Sequence, residues 1–268
     1  MRATVSRSIT EASERLIRAA SAGIPCRPVR DLIDRDDIDT AYAVQSSVAE
    51  ARERAGARIV GCKVGLTSRA VQEQFDVFEP DFGLVFDDML HTHGADLTLS
   101  SYLQPRVEAE IAFVLGADLD KPRISVADLI GATAFVLPAI EIVDSRIAGW
   151  DITIVDTVAD NASSGAVVLG TVPRSLEGFD LSQVGMVLEC DGEDVSHGSG
   201  AGCMGSPVVA AAWVAREIAR RGRALRAGDV VMSGALGPMV EVNAAATFRA
   251  RLDQLGEVEV TFTDERNP

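Results

Sequence analysis

The sequence predicts an α+β fold with a mostly β core and helices at its N-terminal end. Helical periodicity appears in two segments before residue 56 and in one after residue 206, whereas strand-like runs fill much of the last two thirds of the chain. Those runs do not alternate strictly with helices, as the strands of a doubly wound sheet would. The 268 residues suffice for one main domain with a buried core, and 47% hydrophobic against 24% charged residues is the balance of a chain that folds.

Residues 8–22, SITEASERLIRAASA, carry Ser8 and Glu11 at capping-box spacing and set Ile9, Ala12, Leu16 and Ala19 on one helical face before Gly23 and Pro25 end the run. A second helix is expected from Asp39 to Ala55, on the repeat of Ala41, Val44, Val48 and Ala51, with Gly56 as its cap. The segment 1–58 thus reads as a helical scaffold or subunit contact. From Arg58 the texture turns to β, through RIVGCKVGLT, LVFDDML, VEAEIAFVL, FVLPAIEIVD, GAVVLG, GMVLECDGEDV, DVVMSG and VEVTF. Asp191 and Gly192 form a type I′ turn pair that makes a hairpin of their segment. One further helix, Pro207–Arg221, gathers Val208, Ala211, Ala212, Val214 and Ala215 on a broad apolar face. The polar tail after Phe262, TDERNP, is expected to fray.

With 25 basic and 40 acidic side chains the net charge is −15, which repels phosphate backbones and anionic lipid and speaks against a nucleic acid partner. An anionic substrate would need local positive charge or a metal. Cys26, Cys62, Cys190 and Cys203 show no CxxC spacing, and the sequence shows neither a signal peptide nor an uninterrupted apolar run near 18 residues. Free thiols in a cytoplasmic protein without a membrane span are the expectation.

In RVEAEIAFVL alternation points Val107, Ala109, Ile111 and Phe113 one way and Glu108, Glu110 and Ala112 the other. Residues two apart on a strand lie about 7 Å apart, so the two carboxylates either converge on one cation or, as charges on an alternating strand commonly do, face water. Glu141, inside the apolar run PAIEIV, needs a partner: a salt bridge to Arg106 or Arg146, or the same cation. Three carboxylates form a hard oxygen set that selects Mg2+ or Mn2+ over zinc. His91 and His93 have no third soft ligand nearby and read as a surface turn. Lys63, alone in an apolar strand, either snorkels to water or meets an anion, and Asp81 by itself reads as a turn acid before Phe82 and Gly83.

Taken together, GCKVGLTSRAVQEQF, EPDFG, LQPRVEAEIAFVL, LPAIEIVDSRIAGW, DTVADNASSG and MSGALGPMVEV resemble the 2-keto-4-pentenoate hydratase family, within the fumarylacetoacetate hydrolase superfamily, in order from Ile59 to Phe262. The resemblance implies a mixed β-sandwich roll with flanking helices, with residues 59–268 as the catalytic domain. It assigns metal binding to Glu108, Glu110 and Glu141, catalysis to Lys63 and Asp81, and substrate contacts to Phe82, Ser163, Gly234 and Leu236, with Ala235 beside them; Asp156 and Asn161 remain supporting or structural. The implied reaction is hydration of 2-hydroxypenta-2,4-dienoate to 4-hydroxy-2-oxopentanoate in aromatic meta-cleavage catabolism, by a homo-oligomer. The same resemblance leaves open a 4-oxalocrotonate decarboxylase and a hydratase of a longer 2-hydroxydienoate. Hydrolysis of an acylpyruvate ranks lower, because His91, His93 and His197 sit in no recognisable motif for it. Outside enzymes, the alternative is a partner subunit of a decarboxylase–hydratase complex, against which intact Glu108, Glu110, Glu141 and Lys63 argue.

Overall fold

The structure, a computed structural model, describes residues 2–69, 72–73 and 77–264. Two helices lead, α1 (Arg2–Ala22) and α2 (Ile38–Arg54). α1 starts six residues before the cap expected at Ser8, so Ser8 and Glu11 lie inside it. α2 starts where the Asp37 carboxylate accepts the Thr40 N–H at 3.0 Å. Ala12, Leu16, Tyr42 and Val44 from these helices share one core with Phe82, Val85 and Phe86 of the main sheet.

That sheet runs in the order β2 (Asp81–Phe86), β1 (Ile59–Gly65), β10 (Val230–Met232), β5 (Pro105–Leu115), β6 (Thr133–Asp144), β7 (Ser164–Leu169) and β3 (Leu90–Thr92), with β11 (Val240–Glu241) added beside β5. It is mixed: β1 pairs parallel with β10 and antiparallel with β2. A second sheet follows the order β4 (Ala95–Thr98), β13 (Gly256–Thr263), β12 (Ala246–Leu252), β8 (Gly185–Cys190), β9 (Glu193–Ser199). Asp191 and Gly192 both take positive φ, 51° and 89°, and close the β8–β9 hairpin in two residues, as the type I′ turn demands. Strands β1 and β6 stand three places apart in the main sheet, roughly 14 Å if it were flat. The Lys63 ammonium on β1 nevertheless lies 3.3 Å from Glu141 on β6. The sheet therefore curls, and its concave face gathers side chains from β1, β2, β5 and β6.

The expected third helix is present as α5 (Pro207–Arg220), with Ala211, Val214 and Ala215 buried. Two short helices that periodicity does not reveal precede it, α3 (Val126–Ala132) and α4 (Ile154–Ala159). Capping carries them instead: Ser125 Oγ accepts the Asp128 N–H at 3.1 Å, and Thr153 N–H donates to Asp156 Oδ2 at 2.9 Å. His91 lies on β3 and His93 in the turn after it, accepting the Glu259 N–H on Nδ1 at 3.1 Å. Of the tail expected to fray, residues 265–268 lie outside the described residues. Among the described residues no helix is long and apolar enough to cross a membrane.

Candidate active site

Strand register builds the acidic cluster. Glu108 on β5 stands directly opposite Glu141 on β6, and Glu110, one pleat along β5, stands opposite Ala139. One carboxylate oxygen from each lies within 4.8 Å of the others. The face that alternation assigns to them is the concave one, so none is solvated: Glu108 is 5% exposed, and Glu110 and Glu141 are fully buried. β10 ends at Met232, and the chain then turns through Gly234 at φ +91°, which aims its N–H at Glu110 Oε2, 2.8 Å away. A Cβ at Gly234 would lie 2.3 Å from Thr67 Oγ1. Among the described residues no donor reaches Glu110 Oε1 or Glu141 Oε2.

Three buried carboxylates with so few donors are costly when ionised. Burial first, then Glu141, pushes the Glu108 carboxyl up to about 8. Burial, with Glu141 and Glu108 adding to it, raises Glu110 well above the usual carboxylate range. Glu141 is raised by burial against the opposing pull of Lys63. A divalent cation resolves all three at once, because it supplies positive charge where the donors are missing. The residues present fit such an ion.

Neither arginine offered by the sequence pairs with Glu141. Arg106 bonds Glu241 at 2.7 Å and Arg146 bonds Asp160 at 2.6 Å; the partner is Lys63. Lys63 is 3% exposed, so it meets an anion and does not snorkel. Burial opposes its charge, but Glu141, Asp81, Glu108 and Glu110 outweigh that and hold the ammonium above its ordinary pKa. Asp81 is not a turn acid: it opens β2, opposite Gly65, and is 1% exposed. Thr157 Oγ1 donates to its Oδ2 at 2.9 Å, while Oδ1 has no hydrogen-bond partner among the described residues. Gly65 is required there, since a Cβ would sit 2.0 Å from Asp81 Oδ1. Burial raises the Asp81 carboxyl against the pull of Lys63 and Thr157.

Ser163 closes the other side. Asn161, Ala162 and Ser163 carry φ of 56°, 50° and 53°, three successive left-handed residues without a glycine. The side chain of Asn161 clasps the backbone of Leu84, accepting its N–H at 2.8 Å and donating to its carbonyl at 2.9 Å. Asp156 binds the middle of the loop between α1 and α2, accepting the N–H groups of Val29 and Arg30 at 2.9 and 3.0 Å. Both are structural.

Lys63, Asp81, Glu108 and Ser163 line one small cavity of about 30 Å³, together with Gly65, Leu66, Val143, Trp150, Ile152, Thr157, Ala162 and Met239. Three expected substrate contacts lie elsewhere. Alternation along β2 turns Phe82 to the face opposite Asp81, where its ring stacks on Tyr42 at 4.6 Å. Gly234 supports Glu110 from behind, and Leu236 is buried with its N–H on the Ala109 carbonyl at 3.0 Å. Thr157 and Trp150 went unassigned, although both lie in motifs that the sequence displays, DTVADNASSG and SRIAGW.

The fold and the acidic cluster define a class. The model of the fumarylacetoacetate (FAA) hydrolase C-terminal family matches residues 40–263, and the chain belongs to that family. Within it, the likeness is to the 2-keto-4-pentenoate hydratases. The chain is 52% identical over 255 residues to the TodF product hydratase of Pseudomonas putida strain F1, covering 95% of each chain. It is 50% identical over 257 residues to the 2-keto-4-pentenoate hydratase of Burkholderia vietnamiensis, covering 96% of this chain and 98% of the relative. Among solved structures, 4-oxalocrotonate decarboxylase from Pseudomonas putida G7, complexed with magnesium and adipate, superposes with a TM-score of 0.89 at 32% identity, covering 96% and 98% of the two chains.

Proposed function

We propose that this chain is a metal-dependent hydro-lyase that adds water to 2-hydroxypenta-2,4-dienoate, giving 4-hydroxy-2-oxopentanoate in aromatic meta-cleavage catabolism. The observation that carries the reading is the convergence of Glu108, Glu110 and Glu141 with Lys63 and Asp81 on one concave face. Hydratase over decarboxylase is favoured by sequence: about half of all positions match the hydratases, against 32% for the decarboxylase structure.

Glu108, Glu110 and Glu141 would hold Mg2+ or Mn2+, an oxygen-liking cation that, when bound, supplies Lewis acidity at the oxo-acid end of the substrate. The residues of the chain do the rest. Lys63, kept as an ammonium by the carboxylates around it, donates to the C2 oxygen and stabilises charge there as the dienol becomes a ketone. That conversion delivers a proton to C5 and leaves a C3=C4 double bond conjugated with the C2 carbonyl. Asp81 holds its proton more firmly than an exposed carboxyl and delivers it to C5, while the C2 hydroxyl gives up its own proton to solvent; as a carboxylate Asp81 then takes a proton from the water that adds at C4, and solvent returns a proton to C3. Thr157 orients Asp81 through its Oδ2 and leaves Oδ1 for this work. Ser163 donates to the substrate carboxylate. The protein acts in the cytoplasm as a homo-oligomer, with the helices of segment 1–58 as contact elements and association with a neighbouring pathway enzyme open to it.

The test is incubation of the purified protein with enzymatically generated 2-hydroxypenta-2,4-dienoate, with and without Mg2+ or Mn2+, while dienol absorbance is followed. Metal-dependent loss of the dienol, with no CO2 released from a 2-hydroxymuconate control, is expected. Release of CO2 with the dienol untouched would replace the reading with a decarboxylase.

A further inference from the structure

We propose that the ion pair of Arg106 and Glu241, at the mouth of the cavity, sets which substrate tail the site accepts, favouring an uncharged end over a second carboxylate. This inference rests on the reading of the cavity as the active site. Arg106 follows the order of the strand: it precedes Glu108 by one pleat on the same face of β5, about 7 Å away. Its cross-strand neighbour on β6, Val143, lines the cavity. The guanidinium lies 4.6 Å from the centre of the Trp150 ring, and Nη1 is 3.8 Å from Met239 Sδ; both of those residues line the cavity too. On its other side Arg106 lines, with Trp150, Gln104 and Glu241, an outer cleft of about 450 Å³. Arg106 therefore stands where the cavity gives onto that cleft.

An acid whose oxo-acid end sits at the three glutamates reaches, with five or six extended carbons, about the length of that one pleat. Its far end then arrives beside Trp150 and Arg106. Among the described residues lining either space, Lys63 and Arg106 are the cations, and Lys63 is engaged by Glu141. Arg106 is thus the group that would receive a distal carboxylate. Glu241 already holds it, opposite in register on β11 and 2.7 Å away. A second carboxylate would have to share the guanidinium with Glu241, like charge against like charge. A methyl end meets no such repulsion and packs on the Trp150 ring and the Arg106 stem. The Glu241 side chain is 58% exposed, so its replacement leaves packing intact and its influence is screened to a several-fold effect.

The test compares the parent protein, Glu241→Gln and Glu241→Gln/Arg106→Met in the presence of Mg2+. Adipate and hexanoate, six-carbon acids that differ in one terminal carboxylate, compete with 2-hydroxypenta-2,4-dienoate in the hydration assay, and calorimetry measures their binding directly. Glu241→Gln should tighten adipate relative to hexanoate by about fivefold, the gain shrinking as salt rises, and the double variant should lose the gain. Arg106→Gln replaces Arg106→Met if thermal melting shows that the latter does not fold. An unchanged adipate-to-hexanoate ratio in Glu241→Gln, adipate that binds neither protein, or a gain that survives removal of Arg106 overturns the proposal. A parent protein that does not hydrate the dienoate overturns the functional reading instead, and calorimetry then still decides the role of the pair.

Discussion

Asp144, Asp156 and Asp160 are as buried as Glu108, Glu110 and Glu141, yet the chain surrounds the two groups differently. Asp156 accepts from Val29 and Arg30 backbone N–H groups, from the Arg30 guanidinium, and from both the N–H and the hydroxyl of Thr153. Asp144 accepts the N–H groups of Leu103 and Gln104, and Asp160 accepts the backbone N–H and the guanidinium of Arg146. Each of these acids ties a loop down through several donors, which offset part of its burial, although burial still holds the carboxyls of Asp144 and Asp160 above their ordinary value. Among the described residues the three glutamates share one backbone N–H and one lysine. Burial alone does not mark a functional acid; burial without donors does, because the missing positive charge must come from outside the chain.

That contrast can be broken by substitution. Glu108→Gln should lower metal-dependent turnover by about a thousandfold or more while leaving the metal-free protein at least as stable as the parent, since it removes an ionisable group that burial penalises. Steady-state kinetics and urea unfolding of the same preparation check both halves. Asp156→Ala should do the reverse: a loss of about 3 kcal/mol in unfolding free energy, with or without metal, because five donors are stranded. A Glu108→Gln protein that unfolds as readily as Asp156→Ala would erase the distinction.

Acidity sharpens it further. Burial, then Glu141, pushes the Glu108 carboxyl up to about 8 in the folded chain, from the ordinary 4.5 that it keeps in the unfolded one. Between those values the folded state holds the extra proton, so the metal-free protein loses stability as pH rises through this window, by up to about 1.4 kcal/mol per unit for one group. Glu110 and Glu141, shifted the same way, add to the slope, whereas Lys63, held above 10.5, contributes no change there. Because a cation displaces the protons, the thermal stabilisation conferred by Mg2+ should grow from pH 5 to pH 8. A stabilisation independent of pH would mean that the glutamates are already ionised without it.

Much of this was legible in the sequence because strand alternation is a strict geometric rule. It placed Glu108 and Glu110 on one face, and the apolar setting of Glu141 demanded a partner. What alternation does not reveal is curvature. Read as part of a flat sheet, Lys63 is remote from Glu141, and Arg106 and Arg146 are the nearer partners in sequence; only the curl brings Lys63 across and frees the arginines for Glu241 and Asp160. The left-handed run of Asn161, Ala162 and Ser163 was equally hidden, since none of the three is a glycine and the conformation depends on a clasp to Leu84 at 77 residues' separation. Phe82, given to the substrate by resemblance, stacks on Tyr42 on the face opposite Asp81, because successive residues of a strand face opposite ways.

The central claim, one divalent cation held by Glu108, Glu110 and Glu141, is tested most directly by titrating the protein with Mn2+ and measuring the free ion by electron paramagnetic resonance, in the parent and in Glu110→Gln. One tight site per chain in the parent, lost in a folded Glu110→Gln protein, is the predicted result. The same stoichiometry and affinity in both proteins would place the cation elsewhere and contradict the account.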